Sequence, residues 1–406
     1  MTRRSLAALG LIAAAGALVS CGSGGPRTTS STSAPPVVTT TATPPVKPPR
    51  ANAAVAWPTY GADDARLRAV AAPGLRPPFR RLWTFHGRHL LEFPPVVGYG
   101  RVFEEAFDGR LYSLDEATGR ARWRYVSHRC GWSSPALADH LVFATFIGNA
   151  ECHAALGGGE LLAFDAETGR IRWRRTIGPS ESSPLVAGGT VYVGDQDGRV
   201  SAFADRTGRL RWSFDTGAPI KASASLAYGR IYIGNYAGEM LALDARTGRL
   251  IWRSTGHGNF YSTAAVTAGH VYAGSLDGHV YAFSAWSGAV LWSFGTGSYV
   301  YASPAVWHGL VLVGSYDHDF VALDGGNGSV RWTFHGRAPI SGAAAVVDGI
   351  VYFSSFDHRT YALAASNGRV RKEWPDGEYS PAVVGNRRLY LVGLGRIYAL
   401  APQRGS

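Results

Sequence analysis

The chain has 406 residues, 46% of them apolar and 12% aromatic, with 51 glycines and a formal net charge of +11. That length exceeds one small core, the apolar content excludes a long disordered chain, and the glycine density suits a turn-rich β protein better than a helical one. Of the forty bases, Arg3, Arg4, Arg27, Lys47 and Arg50 precede residue 51, where no acid occurs; the 35 that remain face 29 acids and are spread evenly, without the stripe that nucleic-acid binding needs.

Residues 1–21 read as a leader, with Arg3 and Arg4 ahead of an apolar run from Leu6 to Val19. The run is too short to span a bilayer and fits the core of a secretory signal. Leu18-Val19-Ser20-Cys21 resembles a bacterial lipobox, in which Cys21 is lipidated and becomes the new N-terminus. Residues 22–50 are nearly all Ser, Thr, Pro, Gly, Ala and Val, a composition that buries no core and serves as a tether reaching up to about 90 Å. The expected address is extracytoplasmic, at a cell surface or in a periplasm, with the membrane met only through the lipid.

Residues 51–79 form a lead-in, and residues 80–402 carry a repeat. Asp115-Glu-Ala-Thr-Gly119-Arg-Ala-Arg-Trp123 returns as Asp165…Gly169…Trp173, Asp205…Gly208…Trp212 and Asp244…Gly248…Trp252, with weaker copies around Gly288, Gly328 and Gly368. The glycines step by 50, 39, 40, 40, 40 and 40 residues, which marks an array of similar units. Within one period, Ser182 to Trp212, apolar residues alternate with period two through four short runs. The Asp197-Gly198 pair between them is a hairpin signal.

Four antiparallel strands in about forty residues make a propeller blade. Third strands at 111–114, 161–164, 200–203, 240–243, 280–283, 320–323, 360–363 and 397–400 count eight blades. Fourth strands begin earlier, with Trp83, and show Lys372 where the eighth tryptophan is due. The expectation is therefore an all-β, eight-bladed propeller closed by an N-terminal strand that completes the last blade. The tryptophans read as locks between neighbouring blades. His318 and His358, which replace glycine after aspartate, read as turn residues rather than metal ligands.

The Ala-Leu-Asp-Ala-x-Thr-Gly-x-x-x-Trp repeat resembles the pyrroloquinoline-quinone (PQQ) type of propeller repeat, and Trp57-Pro-Thr-Tyr-Gly61 resembles the lead-in of that family. The resemblance implies either a PQQ- and calcium-dependent dehydrogenase of alcohols or sugars, or a cofactor-free binder such as the lipoprotein of the β-barrel assembly machine. It implies for the enzymes an adjacent cysteine pair, which this chain lacks, so no cofactor, catalytic residue or metal site is assigned.

In a four-strand meander, the turn between strands two and three shares a face with the crossing into the next blade. Three residues before the inner-strand proline position, at the mouth of the channel on that face, stand Glu92, Trp132, Glu181, Lys221, Tyr261, Tyr301, Ser341 and Glu378. Carboxylates, an ammonium and aromatics in one ring suit ligand recognition, or equally a solvated rim. Glu104 and Glu105 occupy positions where other blades place Val193-Gly194 or Ile233-Gly234, which calls for a cationic partner or a raised pKa. The long step places an insertion near residues 148–159 holding Cys152, on the face of Cys130, and a disulfide between the two is expected in an exported domain. The functional expectation is a monomeric, non-catalytic binding or scaffold module for an envelope or surface protein, or a glycan.

Overall fold

The computed structural model describes residues 55–148 and 158–403. The leader with Cys21, the tether and Cys152 lie outside these residues. Every regular element described is a strand, and the strands sort into eight sheets. Blade 3 shows the pattern: Leu185–Ala187, Thr190–Gly194, Arg199–Ala204 and Leu210–Asp215 pair antiparallel in that order. Its second strand is buried throughout, whereas the fourth is fully buried only at Trp212. Between the third and fourth strands, Ala202 faces Trp212 but Phe203 faces Leu210, so one extra residue bulges out. The same shift recurs in blades 1 to 7 and strengthens their local twist.

The ring closes as the strand count requires. Phe79–His86 pairs antiparallel with Arg396–Pro402 and so forms the outer strand of blade 8, whose other strands come from the C-terminus. This leaves no half-built blade with an open edge.

Adjacent blades are joined by a repeated clamp. In blade 1, the Asp115 carboxylate accepts from the Thr118 amide at 3.0 Å and its hydroxyl at 2.8 Å, and the chain turns at Gly119 with φ of 70°. A Cβ on Gly119 would stand 2.5 Å from the Trp83 ring of blade 8, whose Nε1 donates to the Glu116 carbonyl at 3.1 Å. The same contact runs from Trp123 to Gly169, Trp173 to Gly208, Trp212 to Gly248, Trp252 to Gly288, Trp292 to Gly328 and Trp332 to Gly368. Each of these indoles also donates to a carbonyl in the turn it covers. Seven tryptophans therefore serve packing. Lys372 breaks the series because blade 8 has no turn between its third and fourth strands: one ends the described chain and the other begins the ring. His318 and His358 sit at φ of 76° and 60°, as turn residues do.

Two features line the channel. Backbone amides of Ser134, Ser183, Ser223 and Thr263 each donate to the hydroxyl of Ser183, Ser223, Thr263 and Ser303 in the following blade, at 2.9–3.0 Å. Below that ring the lead-in runs around the inside. Val55–Trp57 pairs with Val96–Gly98 of blade 1. The carbonyls of Pro58, Asp64, Ala65, Leu67 and Arg68 then accept from Leu137, Leu226, Val266, Val306 and Val346, one position repeated in blades 2, 4, 5, 6 and 7. Blade 3 is met by Thr59, whose hydroxyl donates to the Pro184 carbonyl at 3.2 Å. Arg66 and Arg68 are fully buried there, Arg66 spending its donors on Ala224, Thr59, Tyr60, Ser183 and Pro184. The lead-in is thus a collar that fills one end of the channel.

Candidate functional site

The end opposite the collar is the channel mouth, and its chemistry begins with two residues in each of six blades. One sits in the crossing into each inner strand. The other lies in the turn between strands two and three, where Phe107, Gln196, Tyr236, Leu276, Tyr316 and Phe356 occupy one repeated position. Their amides donate to the carbonyls of Leu90, Pro179, Pro219, Asn259, Tyr299 and Pro339, each two residues before a mouth residue. One backbone hydrogen bond per blade therefore sets the second ring beside the first.

Glu181 anchors the charged side of the mouth. Its carboxylate meets Lys221 Nζ at 3.0 Å and accepts from Gln196 Nε2 at 2.7 Å and the Tyr261 hydroxyl at 3.2 Å. Lys221 also lies 5.3 Å from the Tyr236 ring centre. Glu378 pairs with the exposed His358 at 3.1 Å. The Glu92 carbonyl accepts from the Ser380 hydroxyl at 2.6 Å, but its carboxylate has no hydrogen-bond or ion-pair partner among the described residues, and burial, then the charges of Glu181 and Glu378, push it up to about 7. The three carboxylates thus feel one another across the mouth.

The aromatic side is continuous. Tyr261 packs edge-on against Tyr301 at 5.3 Å, Tyr301 against Tyr316 at 4.9 Å, Tyr316 against Phe356 at 5.7 Å and Phe356 against Tyr379 at 5.5 Å. Tyr299, exposed at the rim, packs against Tyr301 and Tyr316. Burial, then the Glu181 and Glu92 charges, raise the Tyr261 hydroxyl, which stays neutral. Ser341 lies at hydrogen-bonding range of the Tyr316 hydroxyl, 3.5 Å.

Of the eight residues expected at the mouth, Glu92, Glu181, Lys221, Tyr261, Tyr301, Ser341 and Glu378 form its charged and aromatic sides, and Trp132 meets it through Phe107 of the second ring, on which it stacks at 5.7 Å. The second ring was missed by sequence reasoning, although its signal is plain: aligning blades on the residue two beyond Gly194, Gly234, Gly274 and Gly314 finds Gln196, Tyr236, Leu276 and Tyr316.

Below Trp132, Glu104 and Glu105 are buried in strand two of blade 1. Among the described residues no cation meets either of them: both Glu104 oxygens lack a partner, and Glu105 accepts only from the Ser133 hydroxyl, at 3.4 Å. The ion-pair expectation is therefore not met. Burial, with the neighbouring Glu105 charge added for Glu104, holds both carboxyls well above the ordinary range. Elsewhere Gly194 leaves room for Ile220, with a would-be Cβ 2.6 Å from it; in blade 1 the glycine is Gly131, and Glu105 fills the space. Volume is kept while polarity is inverted. Cys130 is buried next to Gly131, and its expected partner Cys152 lies outside the described residues.

Among curated proteins none matches the chain. Among solved structures it is similar to BamB from Moraxella catarrhalis, at 18% identity and a TM-score of 0.68, covering 80% of this chain and 100% of that one. It is also similar to the quinohemoprotein alcohol dehydrogenase from Comamonas testosteroni, at 15% identity and a TM-score of 0.70, covering 88% and 82%. A computationally designed protein, Ika8, aligns at 16% identity and a TM-score of 0.67, covering 79% and 99%. Identities this low speak for fold alone, and the fold hosts several functions. The family model described as outer membrane protein assembly factor BamB matches residues 108–255 and 196–406, most of the repeat, and the chain belongs to that family.

Proposed function

We propose that this chain is an extracytoplasmic binding or scaffold module, lipid-anchored through Cys21, that presents its channel mouth to a protein of the cell envelope. The observation that carries the reading is the mouth itself. Carboxylates, one ammonium and a run of packed aromatics from seven blades converge at one end of the channel, while the collar occupies the other end. Membership of a family described by outer-membrane assembly supports a protein ligand. A titration with PQQ and calcium covers the alternative, a dehydrogenase of alcohols or sugars.

Two photo-crosslinking positions test the proposal on the full chain in cells. Tyr299 sits at the mouth, and Trp286 lies in a turn on the opposite face; each is 53% exposed. A crosslinker at Tyr299 is expected to join one discrete envelope protein, and one at Trp286 none. Crosslinks from Trp286 alone, or from neither, overturn the proposal. Cys21→Ser is expected to release the chain from the membrane.

A further inference from the structure

We infer that the channel mouth receives a basic side chain, a lysine or arginine on an exposed segment of its protein partner. This deepens the binding reading proposed above and rests on it. The first ground is the unequal pairing of the mouth carboxylates. Glu181 is satisfied three times, by Lys221, Gln196 and Tyr261, and Glu378 has His358. The Glu92 carboxylate has no partner among the described residues, yet it is drawn in among the other two and feels both their charges. A half-buried carboxylate crowded by two like charges is relieved when a cation enters the mouth.

The second ground is the wall. Tyr261, Tyr301 and Tyr316 pack ring to ring beside the carboxylates, and aromatic faces attract ammonium and guanidinium groups. Lys221 against Tyr236 is this same contact made within the chain. A long alkyl stem with a charged tip meets both features, its methylenes against the rings and its charge beside Glu92. From residue 51 onward the chain carries 35 bases against 29 acids, so this acidic mouth stands against the sign of the remainder, which repels the same basic partner.

The test uses the full chain and a fluorescein-labelled peptide, Gly-Lys-Gly-Lys-Gly, read by fluorescence anisotropy at low salt. Binding is expected to saturate, to weaken at least tenfold when both lysines are acetylated, and to weaken at least fivefold in Glu92→Gln. Glu167→Gln, on the opposite face, is expected to bind as the parent does, and thermal melting checks that each variant is folded. Equal binding of the acetylated peptide, unchanged affinity in Glu92→Gln, or no binding at millimolar peptide overturns the inference. If the Tyr299 crosslink persists while the lysine peptide fails, the binding reading stands and the basic side chain falls. If no crosslink forms at the mouth, the binding reading falls as well.

Discussion

Single residues carry the pH behaviour of this protein. Glu104, Glu105 and Glu92 all hold their protons more tightly folded than unfolded. For a carboxyl with a raised folded pKa, the folded state binds the extra proton, so stability is fullest below the unfolded value near 4.5 and is lost as pH rises. For Glu92 that loss runs up to about 7; for Glu104 and Glu105 it continues beyond. Glu104→Val restores the residue that blade 3 uses at Val193 and removes two unpartnered buried oxygens. It is expected to stabilise the fold by about 1–3 kcal/mol at neutral pH, with the gain growing toward alkaline pH. Denaturant unfolding at pH 5, 7 and 9 checks this. A loss of stability at all three would show that Glu104 has a role the burial does not reveal. Nothing in composition or spacing distinguishes this glutamate from a paired one, because pairing is settled by what the neighbouring blade places opposite.

At the scale of the element, the blade explains why so much of the fold was legible. Its third and fourth strands meet in a turn whose aspartate, threonine and glycine each have a fixed local task, and the tryptophan that follows serves the next blade. Local turn chemistry and inter-blade packing therefore repeat together, and a forty-residue period carries both. Lys372 looks like a degenerate copy in the sequence and is instead the place where the clamp has nothing to cover. The mouth was half legible for the same reason. Its first ring follows the strand-one repeat, whereas the second shows only when the blades are aligned on the glycine that ends strand two. Gly288→Ala tests the clamp: the new Cβ would meet the Trp252 ring at 2.5 Å from a backbone at φ of 74°. The expected cost is about 2–4 kcal/mol, from left-handed backbone strain and a displaced indole together. Gly229→Ala has φ of 70° and open space around its Cβ, so it isolates the backbone share and is expected to cost about 1 kcal/mol. Equal losses in the two variants would mean that the tryptophan contact contributes nothing.

The whole molecule depends on a segment whose role no periodicity announces. The collar makes its inter-blade bonds through its own carbonyls, so its side chains are free of any repeat, and the sequence reads it only as a lead-in. Structurally it completes the inner strands of blades 1, 2 and 4 to 7. Without it the amides of Leu137, Leu226, Val266, Val306 and Val346 face the channel with no acceptor, and each lost bond costs about 1 kcal/mol. Phe79–His86, which closes the ring, lies beyond the collar, so the two contributions separate. A chain beginning at residue 72 keeps the closing strand and loses the collar. It is expected to remain a propeller but to melt lower, the five lost bonds amounting to about 5 kcal/mol. Native-state hydrogen exchange locates the effect: the five amides are expected to be among the slow ones in the full chain and fast in the shortened one, while the Trp-bearing fourth strands keep their protection. Fast exchange at those amides in the full chain would refute the collar. Uniform loss of protection on shortening would instead make it a condition of folding for the entire ring. The first result would leave the collar's end of the channel unfilled, and the mouth would then be one of two faces rather than the single face offered to a partner.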